Sequence, residues 1–372
     1  MEIIYPVYKP LLAGNEKKYV VECLDTGWIS SRGVFVSKFE ENFGNFIGAS
    51  DPIAVSNGTV ALHLALESLG VGPGDEVIVQ SMTYIATVNA ITYVGATPVF
   101  VDSNLDDWQM KVEGLEDVIT VRTKAILVAH LYGGVGDLNE LMKIAKKYDL
   151  FVVEDCAESL GSLFGGNETG TFGDVATFSF FGNKTITTGE GGMVIAKDPK
   201  VREKIRLLKG QGLSPGREYW HEVVGYNYRM TNICAAIGLA QMERMSFIQE
   251  EKLRISAHYR ESLKFAQVNF QPHNPNISIC EWLVSIVVPE EIRDNLRTFL
   301  TSEGIETRPF FFPVHTMPMY TKFARDLPNS EILSRSGLNL PSYPELSNAD
   351  IEVIASKINT FLKSHENKSA RV

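Results

Sequence analysis

Between about residue 50 and residue 200 the chain alternates short β-branched runs with helix-like segments. That alternation narrows the possible folds more than any other feature. The runs are EVIV (76–79), TPVFVD (97–102), AILVAH (125–130), LFVVED (150–155), VATFSF (175–180) and GMVIA (192–196), bounded by Gly, Pro or Asp. Between the earlier ones lie ALHLALESLG, ATVNAITYVG and LNELMKIAKKYD. Strands this apolar have no polar face to turn to water, so both faces of their sheet must be covered. Connections that hold a helix allow parallel pairing. The expectation is therefore an α/β fold with a large, mixed, mostly parallel sheet and helices on both faces. The later runs follow one another closely and should add strands without full helical crossovers.

After about residue 245 the texture changes. IQEEKLRISAHYRESLKF reads as a long helix, EWLVSIVV (281–288) as a strand, and IRDNLRTFLTSEG as a helix. TRPFFFPVHTMPMY is a Pro/aromatic segment, ADIEVIASKINTFLKS a last helix, and SHENKSARV a frayed polar tail. The chain thus divides into a large domain, 1–245, and a smaller C-terminal α/β domain, 246–372. Residues 1–30 should pack on the small domain or line the cleft. A length of 372 residues, 44% of them hydrophobic, is ample for two such cores.

Several function classes fall away. With 35 Lys plus Arg against 45 Asp plus Glu and no long basic run, the chain is a poor nucleic-acid binder. No uncharged apolar run approaches the ~20 residues that span a bilayer. MEIIYPVYKPLLAGNEKK lacks the basic and apolar regions of a secretory signal, so a cytoplasmic location is expected. The cysteines, Cys23, Cys156, Cys234 and Cys280, are far apart and form no CxxC. They read as thiols in a reducing compartment rather than disulfides or metal ligands.

The chemistry concentrates in TFSFFGNKTITTGEGG (177–192). Lys184 follows an apolar strand and precedes a Gly-rich turn. A lone lysine beyond a strand is ordinarily a solvated charge. Upstream, however, FVVEDCAES ends a strand in Glu154-Asp155. A lysine and a carboxylate leaving neighbouring strands are what pyridoxal phosphate (PLP) chemistry needs. The lysine forms the Schiff base, and the carboxylate keeps the pyridine nitrogen protonated. Asp155 emerges from a buried strand, where a carboxylate is costly without a cation and a pyridinium would supply one. Glu158, three residues on, could reach the ring hydroxyl.

Ser56-Asn57-Gly58-Thr59 precedes a helix-like stretch, which makes either an ordinary N-cap or an anion site for a phosphate. Tyr84 follows a strand and could stack on a flat ring, although a lone aromatic is more often core. Asn227 lies far along the chain and by itself reads as a turn residue. LYGGVGDLNE (131–140) lacks the third glycine of a dinucleotide fingerprint, which argues against NAD.

These elements, in this order, resemble the sugar aminotransferases of the DegT/DnrJ/EryC1/StrS family. The resemblance covers nearly the whole chain. It is strongest in WISSRG (28–33), VSNGTVALHLAL (55–66), GDEVIVQSMTYIATVNAI (74–91), VEDCAESLGS (153–162), TFSFFGNKTITTGEGGMV (177–194), GYNYRMTNICAAIGLAQ (225–241) and ETRPFFFPVHTMPMY (306–320). It implies the fold of PLP enzymes of the aspartate aminotransferase type (fold type I). It also implies transfer of the L-glutamate amino group to a nucleotide-linked keto sugar, with 2-oxoglutarate released. Within the family these stretches look most like the members that aminate GDP-4-keto-6-deoxymannose at carbon 4 to give GDP-perosamine, an O-antigen sugar.

The resemblance implies roles residue by residue. Lys184 would be the Schiff-base lysine and proton carrier, Asp155 the partner of the pyridine nitrogen, and Glu158 a contact of the ring hydroxyl. Tyr84 would stack on the ring, and Gly58, Thr59 and Ser179 would hold the phosphate. Asn227 would reach the phosphate from a second subunit of a homodimer. Trp28, Ser30, Ser31, Arg229 and His315 would be candidates for the substrate cleft. No metal is implied. Relatives with histidine at the lysine position act as sugar dehydratases, so Lys184 favours amino transfer. A UDP- or dTDP-linked sugar, a dehydratase and a non-catalytic PLP-binding regulator stay open as alternatives.

Overall fold

A computed structural model of the chain describes residues 2–272 and 276–369. Its centre is a seven-stranded sheet. The strands are β1 (Ile53–Val55), β2 (Glu76–Gln80), β3 (Thr97–Val101), β4 (Thr123–Ala129), β5 (Phe151–Asp155), β6 (Val175–Ser179) and β7 (Gly192–Ala196). Their order is β1-β7-β6-β5-β4-β2-β3. The run from β3 through β2, β4 and β5 to β6 is parallel. β7 lies antiparallel to both β6 and β1, so the last strands join without a helical crossover, as expected.

Successive residues of each strand point to opposite faces, and each face finds its own cover. Val77, Val79, Leu127, Val153 and Val175 join one core with Leu62 and Leu66 of α3 (Gly58–Ser68) and Val88 and Ile91 of α4 (Ile85–Tyr93). Ile78, Ile126, Val128 and Val152 face Leu141 and Ile144 of α5 (Leu138–Lys147). Further along the second face, Phe178 and Phe180 interlock with Phe39 and Phe43 of α2 (Val34–Ile47), ring centroids 5.0–5.5 Å apart. Each such fully buried side chain contributes about 1.5–3 kcal/mol. The sequence reading did not pick out β1, α2, or α1 (Glu16–Thr26), α6 (Pro199–Lys209) and α7 (Asn232–Met242). Their apolar positions lie in short or mixed runs.

A second, antiparallel sheet carries β8 (Asn269–Phe270), β9 (Val284–Val287), β10 (Arg308–Pro309) and β11 (Gly337–Leu340), in the order β8-β9-β11-β10. Its core draws on α8 (Met245–Ser262), α9 (Glu290–Ser302) and α11 (Asn348–Ser369), and a shorter helix, α10 (Pro328–Ser336), precedes β11. The polar tail expected from residue 364 is instead helical to Ser369, and residues 370–372 lie outside the described residues. Residues 4–8 run along this sheet: Ile4 N donates to Gly304 O, and Ser342 N to Val7 O. α1 then packs on α7. The four cysteines are free thiols. No helix among the described residues is long and apolar enough to cross a membrane.

Candidate active site

The carboxyl ends of β4, β5 and β6 open into a cavity of about 840 Å³. Ligands in open α/β sheets bind at such ends. Strand parity decides which acid of VEDCAES reaches it. Glu154 turns to the far side, where it accepts from His130 Nε2 (3.0 Å) and the backbone N–H groups of Gly170, Phe172 and Gly173 (2.9, 2.8 and 2.6 Å). Burial pushes its carboxyl up, but these donors outweigh that and hold it below the usual range. Glu154 is thereby committed to pinning the loop before β6.

Asp155, the next residue, faces the cavity. It accepts from Thr87 Oγ1 (2.8 Å) and Ala157 N (3.1 Å). Burial raises its pKa against those two bonds, because no cation lies within ion-pair distance among the described residues. Glu158 lines the same wall. Burial raises it too, opposed by the nearby Lys184 charge and by the Tyr132 N–H, which donates to Oε2 at 3.1 Å.

Lys184 sits in the turn that carries the chain from β6 towards β7. Its Nζ lies 3.3 Å from Glu158 Oε1 and 3.9 Å from the centre of the Trp282 ring. The turn is gripped from outside: Tyr8 Oη donates to Lys184 O, and Trp282 Nε1 to Asn183 O. β7 then passes close to the start of α3. A Cβ on Gly192 would stand 2.6 Å from Asn57 O, so no other residue fits there.

The third wall is the α3 N-terminus. Asn57 caps it through Oδ1, which accepts from Val60 N at 3.0 Å. The first-turn N–H groups of Gly58 and Thr59 have no intrahelical partner. A Cβ on Gly58 would stand 2.8 Å from Ser179 Cβ, so this glycine lets the helix end close on the Ser179 hydroxyl. Tyr84 stands at the rim, half exposed, 5.7 Å from the Phe311 ring.

Lys184, Asp155, Glu158, Gly58, Thr59, Ser179 and Tyr84 therefore line one cavity. Thr87, Trp282 and Asn183 join them without having been anticipated, and Tyr8 holds the lysine turn from outside the lining. Thr87 had a local signal, three residues after Tyr84 at a helix start. Tyr8 and Trp282 had none, because they arrive from remote parts of the chain. Asn227 is exposed and lies off this wall, with Arg229 Nη2 3.4 Å from its Oδ1. Trp28 and Ser30 also lie outside the cavity lining, and their carbonyls accept from Asn232 Nδ2 (2.7 Å) and Asn232 N (2.6 Å). Ser31 and Arg229 also fall outside the lining.

His315 corrects the expectation of a substrate contact. It is buried, its Nδ1 is 2.7 Å from Ser81 Oγ, and its Nε2 is 3.5 Å from Glu331. It fastens the Pro/aromatic segment to the end of β2 and does not reach the cavity.

The donor set suits PLP. It offers a helix N-terminus and a hydroxyl for a phosphate dianion, and a buried carboxylate with no cation in ion-pair distance among the described residues. It also offers a lysine on the cavity wall and a rim aromatic for a flat ring. Comparison with known proteins agrees. The profile of the DegT/DnrJ/EryC1/StrS aminotransferase family matches residues 10–359. A GDP-perosamine synthase of Escherichia coli O157:H7 is 52% identical over 96% of this chain and 98% of its own. One from Vibrio cholerae is 45% identical, with the same coverage of each chain. The PLP form of a putative sugar aminotransferase, Spr1654 of Streptococcus pneumoniae, superposes with a TM-score of 0.92 at 28% identity, covering 98% of this chain and 99% of that one. The chain belongs to the DegT/DnrJ/EryC1/StrS aminotransferase family and is a PLP-dependent transaminase.

Proposed function

We propose that this transaminase moves the amino group of L-glutamate to carbon 4 of a GDP-linked 4-keto-6-deoxy sugar. The sugar is GDP-4-keto-6-deoxymannose, and the products are GDP-perosamine and 2-oxoglutarate. The observation that carries the reading is the convergence of Lys184, Asp155, Glu158 and the α3 N-terminus on one cavity. The sugar and nucleotide are supported by the two relatives named GDP-perosamine synthase.

Bound PLP would supply a protonated ring that takes up the electron pair left when the amino carbon loses its proton. The chain's own residues do the rest. The N–H groups of Gly58 and Thr59 and the Ser179 hydroxyl hold the phosphate. Asp155 keeps a proton on the ring nitrogen, and that positive partner offsets its own burial. Glu158 faces the ring hydroxyl, and Tyr84 covers a ring face. Lys184 Nζ takes a proton from the donor carbon and returns one to the acceptor, in two successive halves. Arg308 is the other Lys or Arg on the wall among the described residues, and it is placed to take an anionic group of a substrate.

The active unit is a homodimer in the cytoplasm. Asn227, off its own cavity, serves the phosphate site of the second subunit with Arg229 beside it, and Trp28, Ser30 and Ser31 serve that subunit's substrate cleft. The exposed Trp28, Ile29, Tyr219 and Val224 supply apolar surface for such a contact. Free thiols throughout suit a reducing compartment.

The test is incubation with L-glutamate and GDP-, UDP- and dTDP-linked 4-keto-6-deoxy sugars, with mass detection of products. The GDP sugar should gain an amino group, with one 2-oxoglutarate formed per turnover. No amino product from it, or ammonia released without 2-oxoglutarate, would overturn the reading.

A further inference from the structure

One buried cation has no part in the chemistry above. Lys252, on α8, is 2% exposed. Its Nζ donates to Trp282 O and to Ser342 O, both at 2.6 Å, and lies 4.9 Å from the centre of the Tyr8 ring. No carboxylate lies within ion-pair distance of it among the described residues. Glu281 is engaged elsewhere, its Oε1 accepting from Ser256 Oγ and Arg260 Nη2. The Cys280 thiol is pushed up to about 12 and the Tyr8 phenol above its usual range, mainly by burial, so both stay neutral. Burial pushes Lys252 itself down to about 8. A buried ammonium paired only with neutral carbonyls and a ring is an expensive way to stabilise a fold.

The two aromatic residues it touches are the two that grip the catalytic turn. Trp282 bonds Asn183 O and lies under Lys184 Nζ, while Tyr8 bonds Lys184 O. Ser342 adds a third tie, since its N–H donates to Val7 O next to Tyr8. One ammonium thus joins the N-terminal segment, the start of β9 and the end of β11 at the point where they meet the lysine turn.

We propose that Lys252 is a positioning residue for the transamination: it locks Tyr8 and Trp282 against the Asn183–Lys184 turn and so fixes where Lys184 Nζ sits. This rests on Lys184 being the proton carrier. Small displacements of such a group have large kinetic effects, so Lys252→Met should lower kcat about tenfold or more. A purely structural role could also lower activity, so the deciding readout is the reactivity of Lys184 in the cofactor-free protein. It is measured by acetylation and peptide mass spectrometry, with exposed Lys17 as reference.

In Lys252→Met, Lys184 should acetylate several-fold faster relative to Lys17. In a Tyr8→Phe/Trp282→Phe background, adding Lys252→Met should change neither Lys184 labelling nor kcat further, because the route is already cut. Lys252→Gln, which keeps a donor but removes the cation, serves if the Met variant does not fold. Lys184 should again label faster than in wild type. Unchanged Lys184 labelling in a folded Lys252 variant, or effects that simply multiply in the combined variant, would overturn the proposal. Failure of the parent reading would show differently, as turnover that survives Lys184→Ala.

Discussion

At the residue scale, the site is a set of charges whose environments do not satisfy them. Asp155 is buried with two neutral donors and no cation within ion-pair distance among the described residues, whereas Glu154, one residue earlier, has four donors and is finished. The difference marks Asp155 as waiting for a positive group. Asp155→Asn should retain the fold but cut turnover by about two orders of magnitude or more, measured in the glutamate half-reaction. Lys184→Ala should abolish turnover and the visible absorbance of the lysine-bound cofactor, and normal turnover in that variant would sink the assignment. A second unsatisfied acid, Glu168, lies outside the cavity. Its Oε2 has no hydrogen-bond partner among the described residues, and burial pushes its carboxyl up to about 7. Between its ordinary value and 7 the folded state holds the extra proton, so this group lowers stability as pH rises through that range. Glu168→Gln should therefore unfold at higher urea than wild type at pH 8, with the gain largely gone at pH 5.

At the scale of elements, the ends of strands and helices do the placing. Asn57 caps α3, and Asn57→Ala should cost about 1 kcal/mol in urea unfolding. Gly58 is required by its approach to Ser179. Gly58→Ala puts a methyl 2.8 Å from the Ser179 Cβ, and the helix end must move off the hydroxyl. Its cofactor affinity should fall about tenfold or more, read by equilibrium dialysis, with little change in thermal stability. The cap was legible in Ser56-Asn57-Gly58-Thr59, because capping is local, whereas the approach of Gly58 to Ser179 joins distant parts of the chain and is seen only in the fold. The roles of Glu154 and Asp155 depend on strand parity, which the apolar run LFVVED could not reveal. A strand buried on both faces shows no alternation to fix which residue faces which side.

At the scale of the whole molecule, the proposed sharing of the site between two subunits predicts complementation. Neither Lys184→Ala nor Asn227→Ala homodimers would have an intact site. Co-expressed, they form mixed dimers with one intact site each, and random pairing should give about a quarter of wild-type activity. No gain on mixing would mean that each chain serves its own cavity. Trp28, Ser30 and Arg229 belong to the same proposed set, and variants at these positions should complement Lys184→Ala in the same way. His315 should not behave so, since it is tied to Ser81 beneath β2.

Legible in the sequence were the alternating α/β sheet, the cap before α3, and a lysine and an aspartate leaving neighbouring strands. Each rests on short-range signals: hydrophobic runs, turn residues, and functional groups at strand ends. The tertiary structure supplied the strand parity that turns Asp155 to the cavity and Glu154 away from it, and showed His315 to be a fastening. It also showed that Tyr8, Trp282 and Lys252 close around the lysine turn. Those contacts join residues 99 and 176 positions apart or rest on one ammonium buried beneath them, and no local pattern records which distant side chains a fold will press together.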